Sequence, residues 1–299
     1  MKLGQAIQHF IDHLQLDGDT RKAYELDLIA FQLSFEDEPE LNQIDRFSIK
    51  NYLDNLKTKQ GKRVSLTTQN RHYATLRRFF CWLVREEHLK DTPFVNIERR
   101  RPNKDAGEIP PGSIIRSLDP RQVDKLVENC DRLREKVLFL MMYTTGLRAS
   151  EALTLKTDDL NFDSGVITVR QTKGNKPRRT YLSKSLKPLL KKYLANHNNK
   201  WLFPGVGELP LSYGRARQLF NQATDGISNP DGSRVTLHQL RHTFATERAG
   251  YIDSILLMDL MGHADIRTTL RYAKVTGRAA QDAFERFENN FTNFKLTIA

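Results

Sequence analysis

The sequence predicts a mainly α protein with a small antiparallel β-sheet, divided into two domains. Three observations carry this expectation. Apolar residues recur at helical spacing through most of the chain. That periodicity stops between Asp91 and Asp119, in a stretch holding Pro102, Pro110 and Pro111. Only "LNFDSGVITVRQ" and "RRTYLS" read as strands. At 299 residues, the chain is long enough for two domains that each bury a core.

From Gln5 to about Lys90 the pattern is helical, with room for about four helices. Tyr24, Leu28, Phe31 and Phe35 share one face of an early helix. Tyr73, Leu76, Phe79, Phe80, Leu83 and Val84 form the apolar face of a long one, with Arg71, Arg77 and Arg78 off its centre. Each of these arginines fits a solvated helix face, and their clustering also fits a phosphate-contacting surface. The break that follows, "ERRRPNKDAGEIPPGS", reads as a linker. Its Arg99, Arg100 and Arg101 suit a soluble flexible connection and a basic strap against a polyanion equally.

The second domain opens with Pro120 at the first helical position after Asp119, a capping residue. A buried helix through "EKVLFLMMYTT" ends at Gly146, and a short helix opens with Arg148. The strands are punctuated by Ser164-Gly165 and "TKGNKP". "QATDGISNPDGSRV" is polar enough for a surface loop, and Thr236 with Gln239 makes a capping box for a helix at "LHQLRHTFAT". Gly262 ends a further helix and Asp265 caps the next. In the tail, Ala280, Phe284, Phe287, Phe291 and Phe294 fall on one helical face. The expected boundaries are a helical domain over 1–91, a basic linker over 92–118, a second domain over 119–276, and a C-terminal helix and tail over 277–299.

Charge narrows the function. The chain holds 47 Lys+Arg against 36 Asp+Glu, a net charge of +11, which favours a polyanionic partner without choosing between nucleic acid and a membrane surface. The longest uninterrupted apolar run, Val137 to Tyr143, is too short to span a bilayer, and the first residues are polar where a signal peptide is apolar. A soluble, cytoplasmic protein is expected. Cys81 and Cys130 lack any ligand spacing and read as reduced packing residues, with no disulfide and no metal site.

His238 and Arg241, three residues apart, share a face in the first turns of a helix, near free backbone N–H groups and the positive end of its dipole. A phosphate fits there, although for such a pair alone a packed histidine and an arginine bound to a carboxylate is the commoner arrangement. His263 falls in the tight turn after Gly262, and Tyr272 lies about two turns into the following helix. Arg148 stands three residues before Glu151, and Lys173 occupies a hairpin turn.

Together, "TGLRASE", "TKG", "HQLRHTFAT", "MGH" and "TTLRYA" resemble the tyrosine recombinases, the phage-integrase and Xer-type family. Arg148, Lys173, His238, Arg241, His263 and Tyr272 match its catalytic positions in order. The resemblance covers nearly the whole chain and implies a helical SAM-like core-binding domain followed by a mixed α/β catalytic domain. It departs at Thr92-Pro93, where the family often has Asn-Pro, and in the length of the polar segment before His238.

The resemblance implies a site-specific recombinase that cuts and rejoins DNA through a 3′-phosphotyrosyl intermediate, in integration, excision or resolution. Tyr272 would be the nucleophile. A tyrosine hydroxyl, with an ordinary pKa of about 10, must lose its proton on attack. Attack on a phosphodiester adds charge to an anionic centre, which the guanidinium forks of Arg148 and Arg241 would stabilise. Lys173 would protonate the departing 5′-oxygen, His238 would act as general acid–base, His263 would donate a hydrogen bond to the phosphate, and Glu151 would orient Arg148. No cofactor and no metal are implied.

The implied partners are double-stranded DNA with inverted half-sites, further copies of the chain in a tetramer on paired sites, and accessory proteins, with no membrane. The protein would be cytoplasmic and nucleoid-associated when bound to DNA. A catalytically inactive DNA-binding architectural protein and a type IB topoisomerase are the alternatives, separated by their products. The two-domain length is expected to leave no room for an additional N-terminal arm-binding domain. The apolar tail stripe would either fold back on its own domain or dock on a neighbouring subunit.

Overall fold

The structure is a computed structural model that describes residues 1–14, 18–58, 60–102, 115–170, 177–195 and 197–273. The chain divides into two compact units, Met1–Ile114 and Ile115–Ala299. Lys173 and the tail stripe of 277–299 lie outside the described residues.

The first unit contains α1 (Leu3–His13), α2 (Gly18–Gln32), α3 (Arg46–Asn55) and α4 (Leu66–Arg85). The last two start where a side-chain oxygen accepts from an otherwise unpaired helix N–H: Asp45 from Ser48 at 2.8 Å and Ser65 from Thr68 at 3.2 Å. The apolar stripe of α4 is buried as expected through Leu76, Phe79, Phe80 and Leu83, and it meets Leu28 and Phe31 of α2 in one core. Phe79 and Phe10 pack edge to face with ring centres 5.4 Å apart.

Two features of α4 differ from the sequence expectation. Cys81 is exposed, because it falls on the helix surface one step beyond the Phe79–Phe80 stripe, whereas Cys130 is buried. The buried face also carries polar side chains, Gln69, Asn70, His72 and Thr75. Asp27 of α2 accounts for two of them. Thr75 Oγ1 donates to its carboxylate at 2.9 Å, His72 Nε2 lies 3.3 Å away, and Arg71 pairs with it from the surface side. Tyr52 Oη completes the set, 2.9 Å from His72 Nδ1. A carboxylate shut away from water requires such partners.

The second unit contains α5 (Pro120–Glu128), α6 (Leu133–Thr145), α7 (Ala149–Leu153), β1 (Val166–Val169), β2 (Arg178–Tyr181), α8 (Leu186–Leu194), α9 (Tyr213–Ala223), α10 (Leu237–Arg248), α11 (Ser254–Met261) and α12 (Ile266–Ala273). Asp119 and Gln122 form a capping box at the start of α5, with reciprocal bonds of 3.0 and 3.1 Å. Buried Val137, Leu138, Phe139, Met141 and Met142 make α6 the centre of the unit, packed against α8 and α10. The two strands pair antiparallel, with Val166 opposite Tyr181 and Val169 opposite Arg178. Strand alternation turns Ile167 and Val169 of β1 inward, and also Thr180 and Arg178 of β2. Thr180 Oγ1 donates to the Thr145 carbonyl at 3.0 Å and ties β2 to the end of α6. Among the described residues, no helix is long and apolar enough to cross a membrane.

The polar segment before α10 is more than the expected surface loop. Ile227 and Asn229 are buried. Asn229 Nδ2 donates to the carbonyls of Ser233 and Arg234, each at 3.1 Å, and Gln239 Nε2 donates to Asn229 Oδ1 at 2.7 Å. Gln239 Oε1 then accepts from Thr236 N at 2.8 Å. The start of α10 is thereby set by a buried pair of amides.

Gly146 ends α6 and Gly262 ends α11, both with left-handed backbone, φ 67° and 61°. A Cβ on Gly146 would lie 2.5 Å from the Phe244 ring, whereas nothing stands within 4 Å of one on Gly207, whose φ is 63°. Gly207→Ala should therefore cost only the backbone penalty of about 1–2 kcal/mol. Gly146→Ala should cost more, because Phe244 must also move, with a melting midpoint lower by about 2–4 °C for each further kcal/mol. Equal midpoints for the two variants in thermal melts would show that Phe244 yields freely.

Candidate active site

The site is organised around Glu151, whose side chain is 2% exposed. Its position on α7 follows from local sequence. As the third residue of a short helix it reaches back to the cap, and Oε2 accepts from Arg148 N at 2.8 Å. Oε1 accepts from Arg148 Nη1 at 2.8 Å, Oε2 accepts from Arg178 Nη2 at 2.6 Å, and Arg241 Nη1 stands 3.9 Å from Oε2. Three guanidinium groups thus surround one carboxylate. Burial by itself would raise the Glu151 pKa, but Arg178 and the backbone and side chain of Arg148 bring it below the ordinary carboxylate value.

The remaining partners of these arginines are carbonyls at helix C-termini. Arg148 Nη2 donates to Gly262 O at 2.9 Å, Arg241 Nη2 to Met261 O at 2.6 Å, and Arg178 Nη1 to Leu260 O, all at the end of α11. Arg241 Nη1 donates to Gly146 O at 2.7 Å, at the end of α6. Carbonyls at a helix end have no intrahelical partner and sit at the negative pole of the dipole, so they favour cations. The glycine turns bring those carbonyls to the arginines. A Cβ on Gly262 would come within 2.6 Å of the Arg178 side chain. Arg241 is 1% exposed, and its pKa is lowered by burial and then by Arg148. Arg148 keeps 27% of its side chain exposed and is the guanidinium most open to a ligand.

Three histidines and Tyr272 complete the cluster. His238 and His242 lie one turn apart on α10, with ring centres 4.5 Å apart and planes at 86°. His242 Nδ1 is 2.6 Å from Tyr272 Oη. The His263 ring lies parallel to Tyr272 at 6.4 Å, and its Nδ1 is 2.7 Å from Thr269 Oγ1. Tyr272 is buried with Phe244, Ala245, Leu257 and Met261.

Every histidine here is made less basic. His263 is brought down to about 4 by burial and then by Arg241, Arg148 and Arg178. His242 also falls to about 4, through burial, His238, Arg241 and Arg271. His238 is exposed along one side, yet desolvation, with Arg241 and Arg148, lowers it as well. All three rings are neutral at pH 7 and can pass protons. Burial raises the Tyr272 pKa, while Arg241, Arg271 and Arg148 pull it back.

The fold therefore gathers Arg148, Glu151, His238, Arg241, His263 and Tyr272 into one place. Two members of the cluster were given no catalytic role from the sequence. His242 was accessible as the residue four after His238, and Arg178 as an inward position of a strand that also turns Thr180 inward. Among the described residues, no group of three His, Cys, Asp or Glu side chains could hold a metal ion.

The six arginines of the first unit that the sequence offers for phosphate contact separate into two groups. Arg77, Arg99, Arg100 and Arg101 line one groove with Tyr73 and Phe94. Arg71 pairs with Asp27, and Arg78 lies over the Tyr24 ring at 5.3 Å.

Comparison with known proteins agrees with this geometry. The phage integrase family model matches residues 116–278, and the model of the phage integrase N-terminal SAM-like domain matches 7–87. The tyrosine recombinase XerD of Listeria monocytogenes serovar 1/2a is 33% identical over 292 residues, covering 91% of this chain and 93% of that one. The Tn1549 transposon integrase, solved in complex with transposon right end DNA, shares the fold with a TM-score of 0.73 at 19% identity, over 96% of this chain and 99% of that one. The XerH site-specific recombinase, solved in a post-cleavage complex with a palindromic difH substrate, does so with a TM-score of 0.68 at 24% identity, over 90% of this chain and 80% of that one. This chain belongs to the phage integrase family and is a tyrosine site-specific recombinase.

Proposed function

We propose that this recombinase acts on double-stranded DNA with inverted half-sites, cutting and rejoining each strand through a 3′-phosphotyrosyl link to Tyr272. The observation that carries the reading is the gathering of Tyr272 with His242 and His263 beside a cluster where three guanidinium groups share one carboxylate. Such a corner holds an excess of positive charge and is suited to an anion.

A scissile phosphate placed there receives N–H donors from Arg148 and from the nitrogens of Arg241 that keep a second proton. These donors are in place before reaction and meet the charge that develops on phosphorus; losing one preorganised donor costs on the order of 10²–10³ in rate. His263 adds a hydrogen bond to the phosphate, and His238, exposed and neutral, exchanges protons with the substrate. Lys173 protonates the departing 5′-oxygen, a role that rests on the family resemblance. The phosphotyrosyl bond retains the energy of the broken linkage, so the released 5′-hydroxyl reverses the step without ATP. Arg77, Arg99, Arg100 and Arg101 contact the phosphate backbone from their shared groove. The working form is a tetramer on paired sites, in the cytoplasm at the nucleoid, with accessory proteins where the reaction needs direction.

Covalent capture tests the reading. Fragmented genomic DNA from the source organism is incubated with the full chain, the mixture is denatured, and protein-linked DNA is sequenced. One recurrent site is expected. A nicked duplex of that site, which sheds its 5′-hydroxyl fragment, should trap the wild-type protein, while Tyr272→Phe should bind the duplex and trap none. Equal trapping by the phenylalanine variant would remove Tyr272 from its role. Trapping should also persist in EDTA, because guanidinium groups occupy the place that a divalent cation takes in metal-dependent phosphoryl transfer. A strict Mg²⁺ requirement for cleavage would overturn the arginine-based mechanism.

A further inference from the structure

The phenolic proton of Tyr272 needs an acceptor during attack, and among the described residues it is His242, not the general acid–base candidate His238, that contacts the hydroxyl. We propose that His242 is the base that takes that proton, an inference that rests on the recombinase reading above. Its Nδ1 lies 2.6 Å from Tyr272 Oη, within the distance at which a general base can abstract a proton. Neither neighbouring histidine is so placed among the described residues. The His263 ring runs parallel to the tyrosine ring at 6.4 Å and its Nδ1 is bound to Thr269, while His238 meets His242 one turn earlier.

The position of His242 is well supported. Arg241, the residue before it, is held by Gly146 and Met261, and α10 is anchored by the Asn229–Gln239 amide pair. The ring therefore approaches Tyr272 from a rigid helix, while Tyr272 comes from α12. In the free protein His242 is uncharged, since burial, His238, Arg241 and Arg271 push its pKa down to about 4. The lone pair on Nδ1 is then available to the hydroxyl. A bound phosphate offsets the field of Arg241 and stabilises the protonated ring, so the base strengthens when substrate arrives.

The step balances. As the bond from Tyr272 Oη to phosphorus forms, the phenolic proton passes to His242 Nδ1 and the bond from phosphorus to the 5′-oxygen breaks. The departing oxygen takes its proton from the leaving-group acid, the role proposed for Lys173. Rejoining reverses both transfers, and His242 returns its proton to Tyr272.

His242→Asn separates proton transfer from simple positioning, because an amide keeps a polar acceptor near the place of Nδ1 but cannot hold the proton. The substrate is the nicked duplex recovered by covalent capture, with binding followed by gel shift and folding by thermal melt. His242→Asn and His242→Ala should both bind as the wild type does and form the covalent complex at least about 100-fold more slowly, with added imidazole accelerating the alanine variant. Wild-type trapping rates in the asparagine variant would overturn the proposal and leave the recombinase reading intact. If the asparagine variant does not fold, imidazole rescue of the alanine variant decides, and its absence overturns the proposal. Failure of the wild-type protein to form any covalent complex overturns both.

Discussion

The buried carboxylate of Glu151 is the contact on which the catalytic unit depends. It joins the cap of α7, the inward face of β2 and the first turns of α10, because Arg148, Arg178 and Arg241 come from those three elements. Cations enclosed by protein repel one another, and the cost is tolerable only where each finds an acceptor. Here the acceptors are one carboxylate and the carbonyl ends of α6 and α11. Helix termination and charge placement are thus the same structural event. Gly146 and Gly262 turn the chain so sharply that the last carbonyls face inward to the arginines.

One carboxylate among three guanidinium groups leaves the site positively charged, and the charge acts on everything nearby. It adds to burial, the larger cause, in lowering the pKa of His238, His242 and His263, and it opposes the effect of burial on Tyr272. A phosphate entering such a site meets donors already oriented, so little reorganisation accompanies reaction. The first unit uses the same device at smaller scale: Asp27 is buried and held by Arg71, His72 and Thr75, which locks α2 to α4. There the charge is matched within the fold, and the pair serves packing.

Much of this was legible because local rules govern it. The α4 stripe, the Asp119–Pro120 start, the Gly146 and Gly262 ends, the two short strands and the Thr236–Gln239 cap all depend on residues within a turn of one another. The strings around Arg148, His238, Arg241, His263 and Tyr272 stood out for a different reason, since each resembles a family motif in order, and the fold brings those residues together. Cys81 was misjudged because a single step around a helix separates core from surface. The segment from Thr224 to Val235 read as a loop because its polar composition does not reveal that Asn229 is buried against Gln239.

The sequence by itself determined several helix ends, at Asp119–Pro120, Gly146, Thr236 and Gly262, and that the chain would be basic. Only the tertiary structure decided that Arg178 would complete the arginine set and that His242 would hold the Tyr272 hydroxyl. Arg178 lies 27 residues from Glu151 and His242 lies 30 from Tyr272. Periodicity, capping and turn chemistry act over a few residues, whereas those contacts exist only after α10, α11, α12 and β2 have packed.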